Sequence, residues 1–192
     1  MKLIEATFRE FADNDAVQDF LRIIDNYNYC IIGGLAVSLY SKSARKVSPD
    51  DLDVYIDETQ IDLFLKDLIS QGFHIVRNHN FQGTQWYVVA RGKNQEFDIA
   101  LKSKGSNYFD RPEIFSYRGL KLKVISKPLL INNKLLAARD KDLRDLLYLL
   151  KDESFSSIQS LRKKLRGAKL ELFDQMVDDL DNFEMMIKVY GS

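Results

Sequence analysis

Two aspartates separated by one apolar residue, Asp51 and Asp53, open the segment "DLDVYID". In an extended strand, residues two apart face the same way, so these carboxylates project together. A third, Asp98 in "EFDIAL", lies between Phe97 and Ile99, which a strand turns to the opposite face. Carboxylates set among apolar strand residues are costly unless compensated. Three of them converging would repel one another strongly. A divalent cation resolves that conflict, and hard carboxylate oxygens suit Mg²⁺. Upstream, "YCIIGGLAVSLY" passes from an apolar run into a helical pattern through Gly33 and Gly34. Glycine lets a backbone approach a ligand closely, and a helix N-terminus suits a phosphate. Metal-binding carboxylates together with a phosphate cradle point to phosphoryl or nucleotidyl transfer. Taken singly, a Gly-Gly pair reads as a turn and a D-x-D pair as a solvated strand end. Their order, with the later h-D-h strand, favours function.

These residues need elements to position them. "DAVQDFLRIIDNY" has Val17, Phe20, Leu21 and Ile24 at helical spacing. "YCIIGG" reads as a short strand, "LAVSLYSKS" as a helix directly after it, and "LDVYID" as a strand. "TQIDLFLKDLISQG" reads as a helix with Thr59 as N-cap and Gly72 as its stop. "FHIVRNH", "TQWYVVAR" and "EFDIALK" predict an antiparallel meander turning at Gly83 and at "GKNQ". "LKVIS" predicts a further strand, and "SKGSNYFDRPEIFSYRG" (103–119) a long loop at the rim of the site. From Pro128 onward only helical periodicity remains, with one helix expected from about 128 to 151 and helical pattern in "SIQSLRKKLRGAKLELFDQMVDDLDNFEMMIKVY". The expected fold is α+β: a mixed β-sheet core over residues 1–126 flanked by helices, and a helical C-terminal part, 127–192, packed on it.

Composition narrows the class. The 192 residues are 45% hydrophobic and 29% charged, which suits a globular protein with a sizeable core. Lys and Arg number 28, as do Asp and Glu, so there is no general basic coat for nucleic acid. Cys30 cannot form an internal disulfide, being the single cysteine, and reads as a small core residue. His74 and His79 have no neighbours at zinc-site spacing, so no zinc is expected. No apolar run reaches a membrane span, and the acidic residues of "MKLIEATFRE" do not fit a signal peptide. The expectation is a cytoplasmic protein without membrane contact.

The run "GGLAVSLY…SPDDLDVYI…EFDIAL" resembles the nucleotidyltransferase superfamily with the DNA polymerase β-type fold, whose pattern is hG[GS], h[DE]h[DE]h and h[DE]h. The GG-x-A opening and "KLLAARDKDLRDLLYL" resemble its AbiEii-like branch, which includes toxins of toxin–antitoxin pairs and minimal nucleotidyltransferases. The resemblance spans roughly residues 28 to 150. It implies that Gly33 and Gly34 hold an NTP triphosphate and that Asp51 and Asp53 bind Mg²⁺. Asp98 would complete a second metal site or act as general base on an acceptor hydroxyl. Lys134 and Lys141 would contact phosphates, with Asp142 or Asp145 orienting them or the metal. The family also has a Ser or Thr shortly before the first carboxylate. Here Ser48, the nucleotide-binding counterpart, is followed by Pro49 and Asp50, one residue longer than usual, which leaves Asp50 as an accessory ligand or a turn residue. On a continuous helix, positions 134, 138, 141 and 145 share one face; the alternative is a solvated face with i,i+4 pairs such as Lys141–Asp145.

The function expected is Mg²⁺-dependent transfer of NMP from an NTP to a hydroxyl of RNA, protein or a small molecule. A toxin role, with an antitoxin partner, would follow if the acceptor belonged to translation. The alternative is a catalytically silent nucleotide-binding module acting through a protein partner; retention of all three carboxylates argues against it. In "SLRKKLRGAK", Arg162, Lys163, Lys164, Arg166 and Lys169 suit an RNA backbone, but the acidic segment that follows favours a balanced helical surface. Trp86 and Tyr87 alternate across a strand, so one enters the core; the other reads as a packing residue, with stacking on a base as the alternative.

Overall fold

The structure, a computed structural model, describes residues 2–3, 13–41, 51–81, 84–103, 105–117 and 119–190. Among them, β1 (Lys2–Leu3), β2 (Tyr29–Ile31), β3 (Asp51–Asp57), β4 (His74–Phe81), β5 (Thr84–Gly92), β6 (Gln95–Lys102), β7 (Glu113–Tyr117) and β8 (Leu120–Val124) form one mixed sheet. Its order is β1-β7-β8-β2-β3-β6-β5-β4. The helices are α1 (Asp15–Ile24), α2 (Gly33–Tyr40), α3 (Ile61–Ser70), α4 (Lys127–Ala137), α5 (Asp140–Lys151), α6 (Phe155–Arg162), α7 (Ala168–Asp178) and α8 (Phe183–Val189). This is the α+β architecture expected from the sequence. None of the helices is long and apolar enough to cross a membrane.

The described chain divides into two compact units: residues of 1–39 and 46–126 in one, residues of 40–45 and 127–192 in the other. In the sheet unit, α1 starts where Asn14 accepts a hydrogen bond from the Ala16 amide at 2.9 Å, and it buries Val17, Phe20, Leu21 and Ile24. Such a cap satisfies one of the amides that a helix start leaves without an intrahelical partner. Phe20 stacks on Phe97 of β6 at 4.2 Å and meets Phe64 of α3 edge-on at 5.7 Å. Leu52, Val54, Ile56 and Ile99 are fully buried. Alternation on β3 therefore commits one sheet face to this aromatic core and leaves the other for its polar residues.

The expected meander is present: β4 pairs antiparallel with β5, and β5 with β6. β3 and β6 run parallel, and parallel neighbours need a long crossover; here α3, β4 and β5 supply it. Three expectations on this unit need correction. Asp57, not Thr59, is the capping side chain: it accepts from the Thr59 amide at 3.0 Å and hydroxyl at 2.7 Å, giving a short 3₁₀ turn, Glu58–Gln60, before α3. The helix after the glycines begins at Gly33 itself rather than at Leu35. The long loop of 103–119 contains β7, where buried Phe115 and Tyr117 alternate with the more exposed Ile114 and Ser116.

In the helical unit, α4, α5 and α7 pack on one another, and Leu130, Ile131 and Leu135 of α4, Leu146, Leu149 and Leu150 of α5, and Phe173 and Met176 of α7 are buried. The single helix expected over 128–151 is two. Ala138 takes φ +50°, and Arg139 is extended at φ −80°, ψ 158°, so the chain folds back between Ala137 and Asp140. The helical pattern after 157 is interrupted as well, at Gly167 with φ +56°. Arg162 forms two 2.8 Å hydrogen bonds with Asp174, and Lys169 reaches Asn132 at 3.0 Å. The acidic segment balances Arg162 of the basic run, whereas Lys169 meets a neutral amide outside that segment.

Candidate active site

Asp51 and Asp53 lie on one face of β3, and Asp53 stands directly opposite Asp98 across the parallel β3–β6 pair. Carboxylate oxygens from all three lie within 4.8 Å of one another. Metal–oxygen bonds of about 2.0–2.6 Å span such a separation, and an all-oxygen donor set suits Mg²⁺ or another hard divalent cation. The residues present therefore fit a divalent ion. Asp53 and Asp98 are half-buried, open to a ligand yet partly shielded.

The glycine junction is built against the same carboxylate. Ile32 donates its amide to the Asp53 carbonyl at 2.9 Å, which ties the end of β2 to β3. Gly33 follows with φ +64°, a conformation that disfavours side chains. A Cβ there would lie 1.8 Å from Asp53 Oδ2 and 2.5 Å from its Cγ. Gly33 thus brings the positive N-terminal end of α2 against Asp53. The structure places Gly33, Gly34, Asp51, Asp53 and Asp98 in the same unit, with Gly33 touching the metal-type cluster. Ser48, Pro49 and Asp50 lie outside the described residues.

The sequence reads Tyr87 as a packing residue; the structure gives it a polar role as well. Its hydroxyl donates a hydrogen bond to Asp98. Burial, then that hydrogen bond, then the field of Asp98, Asp53 and Asp51 push its pKa well above the ordinary tyrosine value. It is therefore a polar member of the carboxylate face, not a packing residue alone. Further along that face, Tyr55 and Tyr108 meet edge-on at 4.9 Å, with the Lys102 ammonium 4.7 and 4.9 Å from their ring centres. Tyr108 belongs to the segment expected at the rim, so cation–π contacts hold that segment to the sheet. Cys30 is buried as expected, and burial, partly offset by Lys102, pushes its thiol up to about 12.

In the helical unit, Lys134 Nζ lies 3.0 Å from Asp142 and 2.7 Å from Asp145, with all three residues buried. Arg139 Nε adds a 2.6 Å contact to Asp142. Lys141 is exposed and outside this network. The shared helical face expected for 134, 138, 141 and 145 does not exist, because the turn at Ala138 separates two helices. Lys134 and Asp145 meet instead through the fold-back of α5 on α4.

No protein-family model and no curated protein matches the sequence, but solved structures match the fold. The nucleotidyltransferase toxin MenT4 from Mycobacterium tuberculosis H37Rv is similar with TM-score 0.53 and 16% identity, over 83% of this chain and 64% of that one. An antigenic nucleotidyltransferase-like protein from Paracoccidioides brasiliensis matches with TM-score 0.53 and 16% identity, over 88% of both chains. The chain has the nucleotidyltransferase fold. A lincosamide antibiotic adenylyltransferase, LnuA with lincomycin bound, shares this fold at TM-score 0.51 and 17% identity, over 69% of this chain and 94% of that one. Within the nucleotidyltransferase fold seen here, the Gly-Gly, D-x-D and h-D-h motifs come from β2–α2, β3 and β6, segments far apart in sequence that the sheet brings together.

Proposed function

We propose that this protein transfers a nucleoside monophosphate from an NTP to a hydroxyl acceptor, using Mg²⁺ held by Asp51, Asp53 and Asp98. The observation that carries the reading is the gathering of these three carboxylates within 4.8 Å, with Gly33 against Asp53. Three like charges so close favour a cation between them, because each ionised neighbour raises the cost of the next. Bound divalent ions neutralise charge on the reacting phosphate and the leaving pyrophosphate. Gly33 and Gly34, at the start of α2, present backbone and the positive helix end to the triphosphate. Asp98 either completes the ion's ligand set or takes the proton from the acceptor hydroxyl. Any part for Lys134, Lys141, Asp142 and Asp145 in nucleotide binding is proposed on the family resemblance alone.

A toxin and an antibiotic adenylyltransferase among the similar structures make RNA, protein and small hydroxyl compounds the acceptors to examine, and an antitoxin the partner to seek. The test is incubation with each NTP, labelled at the α- or the γ-phosphate, together with Mg²⁺ and cell lysate. The expected result is label transferred from the α position only, abolished by chelator and by Asp53→Asn. Transfer of the γ label, or α transfer that survives both treatments, would overturn the reading.

A further inference from the structure

Asp98 has two roles open to it, ligand or proton acceptor, and the neighbouring strand bears on the choice. In the β5–β6 ladder Val89 stands opposite Asp98, and Tyr87 stands opposite Ala100, two residues further along the same face. That diagonal separation, about 7–8 Å between backbones, is within reach of an aromatic side chain. The phenol crosses it and donates its one proton to Asp98. An ionised carboxylate has two oxygens, so one held by Tyr87 leaves the other for the space shared with Asp51 and Asp53.

Resting on the metal reading above, we propose that Tyr87 is a positioning residue that holds Asp98 as a ligand of the divalent ion. Mutual repulsion would otherwise turn Asp98 away from Asp51 and Asp53 whenever the ion leaves. The tyrosine is neutral, so it restrains Asp98 without neutralising it, and the attraction for a cation is kept. Groups in this second layer orient ligands, and their loss typically lowers metal affinity by about 10–100-fold.

Tyr87→Phe keeps the ring and removes only the donor. The measurement is Mn²⁺ affinity by electron paramagnetic resonance, with a non-hydrolysable NTP and no acceptor, in the parent, Tyr87→Phe, Asp98→Asn, the double variant and Asp51→Asn. Mn²⁺ affinity should fall by about 10-fold or more in Tyr87→Phe, with the thermal unfolding midpoint near that of the parent. The double variant should bind no more weakly than Asp98→Asn, since Tyr87 acts through Asp98. The inference is overturned if Tyr87→Phe binds Mn²⁺ like the parent while Asp51→Asn has lost it. It is equally overturned if Tyr87→Phe weakens the Asp98→Asn background as much as it weakens the parent. Parental affinity in Asp51→Asn would instead remove the metal reading on which the inference rests.

Discussion

Two groups of aspartates in this molecule meet opposite electrostatic circumstances. In the helical unit, Asp142 and Asp145 are 0% and 2% exposed, and Lys134 bridges them while Arg139 adds a second cation to Asp142. In the sheet unit, Asp51, Asp53 and Asp98 are gathered with one another, with glycine backbone against Asp53 and a neutral phenol on Asp98. Opposite charges paired inside a core hold helices in place, although the cost of drying them offsets most of the attraction. Like charges gathered on a strand face raise the cost of ionising one another. On the proposed reading, their arrangement serves a ligand of opposite charge. Sequence shows D-x-D in one place and D-x-x-D in the other; the company each set keeps tells them apart.

The largest effect expected is on stability in the paired cluster. Lys134→Met leaves two buried carboxylates without their shared cation and should cost about 3–5 kcal/mol in denaturant unfolding. Arg139→Met should cost far less, because that side chain is 62% exposed. NTP affinity of folded Lys134→Met also tests the phosphate contact that the family resemblance implies; parental affinity would confine Lys134 to the packing of its own unit.

The gathered cluster should behave in reverse. Asp53→Asn is expected to slow nucleotidyl transfer by about 10²–10³, the typical cost of losing one transition-state charge stabiliser. Its unfolding midpoint should equal or exceed that of the parent, because one like charge is gone. A marked fall in stability would mean that these carboxylates serve the fold.

Two glycines sharpen the contrast further. Gly33 has φ +64° and Asp53 within 1.8 Å of an added Cβ, whereas Gly72 has φ +84° and nothing within 4 Å. Alanine at either should cost about 1–2 kcal/mol for the left-handed backbone. Only Gly33→Ala should also displace Asp53 and reduce transfer. Equal transfer rates for the two alanine variants would detach the glycine junction from the site.

The smallest effect expected is a pH dependence. Burial alone would raise the pKa of Asp142, but Arg139 and Lys134 outweigh it and hold the carboxyl below its usual 3.8. A depressed folded pKa gives stability that is complete above the unfolded value and lost as pH falls through the folded one. The gap in unfolding midpoint between the parent and Asp142→Asn should therefore be constant above about pH 4 and narrow at lower pH.

Much of the site could be read from the sequence because strand alternation has a period of two. That alone puts Asp51 and Asp53 on one face and Phe97 and Ile99 opposite Asp98. Motif order and the family resemblance bring Asp98 to the other two, but its place directly opposite Asp53 depends on which strands become neighbours and in what register. Tyr87 reads as a packing residue for the same reason: only the β5–β6 register shows that it reaches Asp98. The break at Ala138 carries no glycine or proline to announce it. The packing of α5 back on α4 overrides a run with good helix propensity. β7 is hidden in the sequence because Pro112 and polar neighbours obscure the alternation around Phe115 and Tyr117.

The most direct test of the central claim is calorimetric titration with a non-hydrolysable NTP, with and without Mg²⁺, of the parent and of Asp53→Asn. The parent should bind the nucleotide tightly only when Mg²⁺ is present, and Asp53→Asn, folded to the same extent, should lose that Mg²⁺-dependent gain. Equal affinity in the two proteins, or parent binding indifferent to Mg²⁺, would contradict the claim.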